Sequence, residues 1–337
     1  MTATDGAGQS LPKPRRDWLP VLLVPALALA ALPLVGSSST WLTLTAAGLA
    51  MGMIIFIMAS GLTLVFGLMD VINFGHGAFI SIGAYVAAAC ALPLLDWLQA
   101  DSLALNIAAL LILIAAAMLV TGLIGYAFER IIIMPVYGQH LKQILVTVGG
   151  MIVAQQIIIV LWGPVQKSLA LPTSFRGALV LGDVAIERYR LIAVAIGLVV
   201  FAGMLIVLNR TKVGLLIRAG VENSEMVEAL GYHIRRLFVG VFMAGSALAG
   251  LGGVMWAFYR EALTPGMGLE VLVLIFVVVI IGGLGSVGGC FIGALLVALT
   301  ANYAGFLAPK VALGSNILLM VLILLWRSRG LYPVAKR

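Results

Sequence analysis

The glycine spacing near the C-terminal end of the chain is that of a dinucleotide-binding turn. The stretch VVVIIGGLGSVGG, residues 277–289, places Gly283, Gly285 and Gly288 in a G-x-G-x-x-G pattern after an apolar run. In such a turn the glycines let backbone N–H groups approach a pyrophosphate, and an acidic residue roughly 20 positions later holds the ribose. No Asp or Glu follows Glu270, and the chain has 39 glycines. We therefore predict no cofactor site in this segment.

The other side chains that could do chemistry form no enzyme motif. The sequence has no P-loop lysine after a glycine loop, no histidine pair at metal-ligand spacing, and no Ser or Cys at a recognisable spacing from a base. We therefore predict neither catalytic residues nor a metal site. Cys90 and Cys290 both lie in apolar runs, which indicates buried thiols rather than a disulfide framework.

The composition is that of an integral membrane protein. Hydrophobic residues make up 63% of the chain, charged residues 10%, and the mean hydropathy is +1.17, whereas soluble domains carry about 25% charged residues. The net charge of +7 comes from small basic groups at the ends of apolar runs. This placement follows the positive-inside rule and argues against nucleic-acid binding.

Apolar windows of span length predict about ten transmembrane helices. Residues 271–309 carry no charge, and one helix of that length would measure ~58 Å, so two helices must be joined at the glycines of the opening stretch. Gly285, Gly289 and Gly293 recur every four residues and predict a smooth face for close helix packing. We predict one membrane domain over 18–327, with tails at 1–17 and 328–337 and a retained first helix rather than a cleaved signal. The predicted helices are 18–36, 41–67, 74–95, 102–128, 143–163, 189–209, 237–258, 268–284, 288–308 and 314–327.

The charge distribution predicts the orientation. With the N-terminus in the cytoplasm, six of the 20 lysines and arginines fall in external segments and the other fourteen in cytoplasmic ones. The external six are Lys167, Arg176, Arg188, Arg190, Arg260 and Lys310. Ten helices divide into two sets of five, and an odd-numbered unit repeated in one chain must be inverted. Interruptions at 73–79 and 282–289 are the hint of such a repeat.

The segment GLTLVFGLMDVINFGHGAFISIGAY, residues 61–85, places polar groups in an apolar region. Such groups are costly at membrane depth unless they pair or face a water-filled path, so this segment is a candidate translocation pathway. The alternative is a tight turn at the cytoplasmic face, with Asn73 capping the next helix and His76 exposed. The candidate pathway residues are Asp70, Asn73, Phe74, His76 and Gly77.

The longest cytoplasmic loop, residues 210–236, contains an amphipathic segment. Glu222, Glu225 and Glu228 share one helical face, Met226 and Leu230 form an apolar stripe, and Gly231 would end the helix. A solvated surface helix and a docking site for a cytoplasmic partner both fit this pattern.

Five segments together resemble the permease subunits of bacterial high-affinity branched-chain amino acid ABC importers, whose close relatives include urea and amide permeases. They are residues 61–85, RAGVENSEMVEALG, GSALAGLGGVMWA, VVVIIGGLGSVGGCFIGALLV and the ending RSRGLYP. The resemblance runs from about residue 41 to residue 333.

The resemblance implies an all-α type II importer half with about ten helices in an inverted 5+5 repeat, in a bacterial inner membrane with both termini cytoplasmic. It implies a second, homologous permease, two cytoplasmic ATPases that bind the ATP, and a periplasmic solute-binding protein. Loop 210–236 would then be the coupling element. Two other classes remain open, an ion-coupled secondary transporter and a passive channel for a small polar solute. The implied coupling residues are Arg218, Glu222, Asn223, Glu225, Met226, Glu228 and Gly231.

Overall fold

A computed structural model describes residues 18–222 and 224–332. These residues form thirteen α-helices and four short strands. The helices are α1 (Leu19–Val35), α2 (Ser38–Met69), α3 (His76–Ala91), α4 (Leu95–Gln99), α5 (Leu103–Phe128), α6 (His140–Trp162), α7 (Arg188–Arg210), α8 (Lys212–Glu222), α9 (Ser224–Ala229), α10 (Ile234–Arg260), α11 (Met267–Gly282), α12 (Val287–Leu307) and α13 (Pro309–Trp326). A π-helical turn, Glu129–Ile133, and a 3-10 turn, Met134–Val136, extend α5.

The four strands form two small antiparallel pairs outside the helical bundle. Strand β1 (Lys167–Ser168) pairs with β4 (Ala262–Leu263), and β2 (Ala178–Leu181) pairs with β3 (Val184–Glu187). All other described elements are helical, so the chain is an all-α integral membrane protein with one short hairpin, β2–β3, and one short pair of distant strands, β1–β4.

Seven stretches of the described chain are helical, long and apolar enough to cross a membrane. They are Ser38–Met69, His76–Gln99, Leu103–Val136, His140–Trp162, Arg188–Arg210, Ile234–Arg260 and Val287–Leu307. Three shorter apolar helices lie at Leu19–Val35, Met267–Gly282 and Gly314–Trp326. Each predicted helix overlaps one of these ten, because unbroken apolar runs bounded by charged or glycine residues leave little choice of boundary.

Helices α2 and α10 cross at the centre of the bundle. Residues 54–62 of α2 are almost completely buried. Gly61 and Gly245 lie against each other's backbone carbonyl groups, so a side chain at either position would separate the helices. α2 then packs along α12 and α10 along α5. Small residues at these crossings allow the close backbone approach that membrane helices use in place of a hydrophobic driving force.

The connections between helices gather at two opposite ends of the bundle. At what we call the Asp70 end, the Tyr137 hydroxyl donates to the Met69 carbonyl (3.1 Å), Arg235 contacts Met134, and Tyr332 N–H donates to the Gly282 carbonyl (3.0 Å). At what we call the Glu261 end, β4 pairs with β1, and Ser174 N–H donates to Asn106 Oδ1 (2.7 Å). Burial, together with the carboxylate of Asp70, raises the pKa of Tyr137, so its hydroxyl remains a neutral donor.

The glycine-rich turn joins α11 to α12 without leaving an open cradle. Gly283 and Gly285 have φ of 95° and 81°, which favours glycine. A Cβ on Gly285 would lie 2.6 Å from Gly67 Cα, and Gly330 packs against Gly283. The turn is therefore filled by the chain itself. The described chain remains packed to Tyr332, past the predicted domain boundary at 327.

Two predictions for this turn are wrong. Gly285 lies in the turn rather than on α12, so the smooth helical face consists of Gly289 and Gly293, which pack against Gly282 and Val278 of α11. Gly288, which was predicted to be one of the turn glycines, lies inside α12, and a Cβ at this position would meet open space. The four-residue spacing could not distinguish a turn glycine from a helix glycine.

Candidate functional site

After α2 the chain turns back into the bundle before α3 begins. Asp70 ends α2 in the left-handed conformation (φ 53°) and is exposed. Six residues later the buried His76 donates from Nε2 to the Met58 carbonyl, 2.9 Å away. Met58 lies eleven residues before Met69, which is roughly 16 Å along the helix. Residues 70–75 therefore form a re-entrant break inside the bundle.

The tight-turn alternative is wrong in its details. Asn73 and His76 are each 1% exposed, and the N-cap of α3 is Gly75, with no side-chain cap. Neither amide atom of Asn73 has a hydrogen-bond partner within the described part of the chain. Of the predicted pathway residues, Asp70 lies at the surface, whereas Asn73, His76 and Gly77 lie in the interior.

Helices α5 and α6 bring further polar groups to this break. Phe74 N–H donates to Thr147 Oγ1 (3.2 Å), and Gly75 lies against the ring of Phe128. Gln143, one turn before Thr147, is 1% exposed, and Glu129, next to Phe128, is 5% exposed. Among the described residues, Gln143 Oε1 and Glu129 Oε2 lack hydrogen-bond partners. Asn73 in the break, and Gln143 and Glu129 on the helices that contact it, are therefore desolvated polar groups, which is costly unless a ligand or water satisfies them.

Sequence reasoning missed Glu129, Gln143 and Thr147. Glu129 is the only acid between residues 103 and 136, but its place at the end of an apolar run made it read as a boundary charge. Gln143 and Thr147 lie one turn apart on α6, and this spacing was the available signal for a polar face.

A second break, at residues 261–266, repeats the first. Among the described residues, Asp70 and Glu261 are the only non-glycine residues with positive φ (53° and 49°). Each follows a long central helix, and each precedes a 16-residue helix whose N-cap is glycine. Gly77 and Gly268, each two residues beyond its N-cap, lie against each other's carbonyl groups. Ser81 Oγ also accepts from Gly268 N–H (3.0 Å).

The predicted partner of the first interruption, residues 282–289, is therefore wrong. The structural counterpart is 261–268, where E-x-x-T-x-G-x-G matches D-x-x-N-x-G-x-G at 70–77. Glycine density pointed to the wrong segment because the turn at 283–286 has glycines for a different reason. Its neighbours, Gly67 and Gly330, require close backbone approach there.

The segment between α7 and α10 presents an apolar surface at the Asp70 end. Met226, Leu230 and Tyr232 are 61%, 71% and 52% exposed, whereas Val227 and Ile217 are almost fully buried. The segment therefore has a buried face, with Val227 and Ile217, that packs against the bundle, and an exposed apolar face, with Met226, Leu230 and Tyr232.

The described residues on both sides of Asn223 are helical, in α8 up to Glu222 and in α9 over Ser224–Ala229. Whether they form the single helix predicted over 222–230 stays a prediction, because it depends on Asn223. Gly231 does close the helical segment, with φ 86° and its N–H donating to the Glu228 carbonyl. Arg218 and Glu228 are exposed. Asn223 and the side chains of Glu222 and Glu225 lie outside the described residues.

Comparison with known proteins agrees with this architecture. The family model for the permease component of branched-chain amino acid transport systems matches residues 44–326. The high-affinity branched-chain amino acid transport system permease protein BraD of Pseudomonas aeruginosa is 29% identical over 294 residues, 84% of this chain and 93% of its own. The corresponding LivH of Escherichia coli K12 is 25% identical over 291 residues, 84% and 92% of the two chains.

A further relative resembles only part of this chain. The inner membrane ABC transporter permease protein YjfF of Escherichia coli K12 is 26% identical over 162 residues, 42% of this chain and 49% of its own. No solved structure matches the chain significantly.

Proposed function

This chain belongs to the family of branched-chain amino acid transport permease components, and from that premise we propose that it forms half of the membrane path of an ABC importer. A second, homologous permease supplies the other half. Two cytoplasmic ATPases bind the ATP, a periplasmic solute-binding protein delivers the substrate, and this chain holds no cofactor of its own. The family is one of transport permeases rather than enzymes. The match over 44–326, which spans both breaks and the α8–α9 segment, carries the proposal.

The proposed substrate is a branched-chain amino acid, because BraD and LivH are both named for its transport. The break at 70–77 and its surroundings are the proposed path. The N-terminus of α3 carries partial positive charge that suits a carboxylate, and the side-chain oxygens of Asn73 and Gln143 suit an ammonium group. A zwitterionic amino acid would satisfy both sets of groups.

The proposed architecture is ten membrane helices in an inverted 5+5 repeat. Helices α2 and α3 of the first half correspond to α10 and α11 of the second, and the α2–α12 packing corresponds to the α10–α5 packing. The contact between Gly77 and Gly268, which are equivalent positions of the two breaks, supports a two-fold axis between the halves. The proposed membrane domain covers residues 18–327, with tails at 1–17 and 328–337, and lies in a bacterial inner membrane.

The proposed orientation puts both termini and the Asp70 end in the cytoplasm, as the charge bias favours. The α8–α9 segment then faces the ATPases. Met226 and Leu230 would enter a groove on an ATPase, with Arg218 and the glutamates at the rim, so that closure of the ATPase dimer is transmitted to α7 and α10. The exposure of Met226 and Leu230 supports this role.

The test is uptake of radiolabelled leucine by proteoliposomes that contain the assembled complex. We expect uptake to require the solute-binding protein and hydrolysable ATP, and to persist when ionophores abolish ion gradients. Uptake that follows a proton or sodium gradient without nucleotide would indicate a secondary transporter, and gradient-independent uptake without ATP a channel. Either result would overturn the proposal.

A further inference from the structure

A large apolar cavity separates α7 from α10 at the Asp70 end. It has a volume of about 560 Å³, and its walls come from α2, α5, α7, α8 and α10. Met204, Ile217 and Leu251 form buried parts of the wall, and Val207 and Val213 are exposed at its edge. Among the described residues that line it, Arg236 is the only one with a polar side chain.

Arg236 connects this cavity to a basic one. The second cavity, of about 250 Å³, is lined by Arg130, His233, Arg235, Arg236 and Val239. All three arginines are exposed. The buried Glu129 interacts with Arg130 and Arg235. Among the described residues that line the cavity there is no acid, so the three arginines make its lining positively charged.

The two cavities lie where a membrane changes from hydrocarbon to headgroups. The apolar walls are the last three turns of α7, from Val200 to Leu208, and the first half of α10. Both helices are candidate membrane spans, and α7 is mostly exposed to its surroundings. The basic cavity lies at the helix ends, next to the α8–α9 segment.

We propose that these cavities form a binding site for one anionic phospholipid of the leaflet on the Asp70 side. An acyl chain occupies the apolar cavity between α7 and α10, and the phosphate binds Arg236 and Arg235. Basic pockets between membrane helices bind anionic headgroups in this way, and guanidinium groups match phosphate geometry. The charge favours a phospholipid over an uncharged helix of a second permease copy, which would leave Arg236 without a counter-charge.

The headgroup part is tested with the full chain in nanodiscs of dioleoyl phosphatidylglycerol or dioleoyl phosphatidylcholine. Native mass spectrometry after release counts the retained lipid. We expect phosphatidylglycerol to be retained preferentially, and Arg236→Gln to bind it roughly fivefold more weakly, since one arginine contributes about 1 kcal/mol near a membrane surface. Arg188→Gln, the same charge change outside the cavities, should bind as the parent does. Equal loss in both variants, or no headgroup preference, would overturn the proposal.

The acyl-chain part is tested by filling the cavity. Gly203 of α7 lines it and has open space at its Cβ position, so Gly203→Phe adds a bulky side chain at the cavity wall without a backbone clash at its Cβ. Gly305 of α12 is also exposed with open space and lies outside the cavity, so Gly305→Phe is the matched control. We expect loss of the retained lipid only in Gly203→Phe. Unchanged retention would overturn the proposal, as would spontaneous disulfide linkage between two copies of a Val207→Cys variant.

Discussion

Two buried asparagines show how one residue type serves opposite purposes. Asn106 donates from Nδ2 to the carbonyls of Trp97 (2.7 Å) and Ala100 (3.0 Å) and accepts from Ser174 N–H (2.7 Å). Asn73 is equally buried, but its amide is unpartnered in the described chain. A buried amide without partners costs about 1–3 kcal/mol. Asn106 therefore stabilises the fold, whereas we expect Asn73 to reduce its stability if it is reserved for contact with solute or water during transport.

This contrast predicts opposite effects for one substitution. Asn73→Leu should leave the melting temperature equal to or above that of the parent, because it removes a desolvated amide, yet it should strongly reduce leucine uptake. Asn106→Leu should lower the melting temperature, because it leaves three backbone groups unpaired. Both are measured by thermal unfolding in detergent and by proteoliposome uptake. If Asn73→Leu destabilised the protein as much as Asn106→Leu, Asn73 would be a structural residue.

Met226 is the side chain we expect to test coupling most directly. Burying a methionine in a partner groove stabilises the complex by about 1.5–3 kcal/mol, and Met226→Asp would replace that burial with a charge. The variant should insert normally but lose co-purification with the ATPase and ATP-dependent uptake together. The control is Val165→Asp, a similarly exposed position at the Glu261 end. Parent-level recovery and uptake in Met226→Asp would leave α9 as a solvated surface helix.

At the scale of the elements, neighbouring glycines of α12 have different roles. Gly289 lies against the Gly282 carbonyl of α11, whereas Gly288 faces open space. Gly289→Ala should cost about 1–3 kcal/mol through overpacking. Gly288→Ala should be neutral or stabilise by up to about 1 kcal/mol, because alanine favours the helix. Thermal unfolding of the two variants measures the difference, and equal behaviour would contradict the assigned α11–α12 contact.

The sequence predicted where the apolar helices lie along the chain, but not which residues of different helices contact each other. The argument that residues 271–309 are too long for one span placed a connection between α11 and α12 correctly, because length and hydropathy are local properties. The pairing of residues 70–77 with 261–268 depends on where the backbone turns back into the bundle, which composition does not encode. Glu129 and Gln143 were missed for the same reason, since their burial follows from neighbours distant in sequence.

The segment between α7 and α10 shows a similar limit. The apolar spacing of Met226 and Leu230 predicted an exposed stripe, and both side chains are exposed. The same spacing did not reveal that Val227, between the two members of the stripe, is almost fully buried. Periodicity therefore identified the exposed stripe but not the side chain that anchors it.

At the scale of the whole molecule, the two helices that follow the breaks approach each other. α3 and α11 each have 16 residues and a glycine N-cap. Because Gly77 and Gly268 touch near the starts of these helices, both N-termini lie inside the bundle and approach each other. Discontinuous helices with inward-facing N-termini are the arrangement that inverted-repeat transporters use around their substrates.

An inverted repeat makes a prediction that a parallel repeat does not, namely that the equivalent residues Asp70 and Glu261 lie on opposite sides of the membrane. Both are exposed, so single cysteines can be placed there after Cys90 and Cys290 are replaced. In intact spheroplasts an impermeant maleimide should label Glu261→Cys, whereas Asp70→Cys should react only after permeabilisation.

Two reference positions calibrate this experiment. Lys167→Cys, on the strand next to β4, should be labelled under the same conditions as Glu261→Cys. Glu228→Cys, on α9, should be labelled under the same conditions as Asp70→Cys. Labelling of Asp70→Cys and Glu261→Cys from the same side would exclude the inverted repeat. Labelling of Asp70→Cys alone in intact spheroplasts would preserve the repeat but reverse the orientation. The α8–α9 segment would then lie outside, where no ATPase could bind it, and the coupling role of Met226 would fail with the orientation.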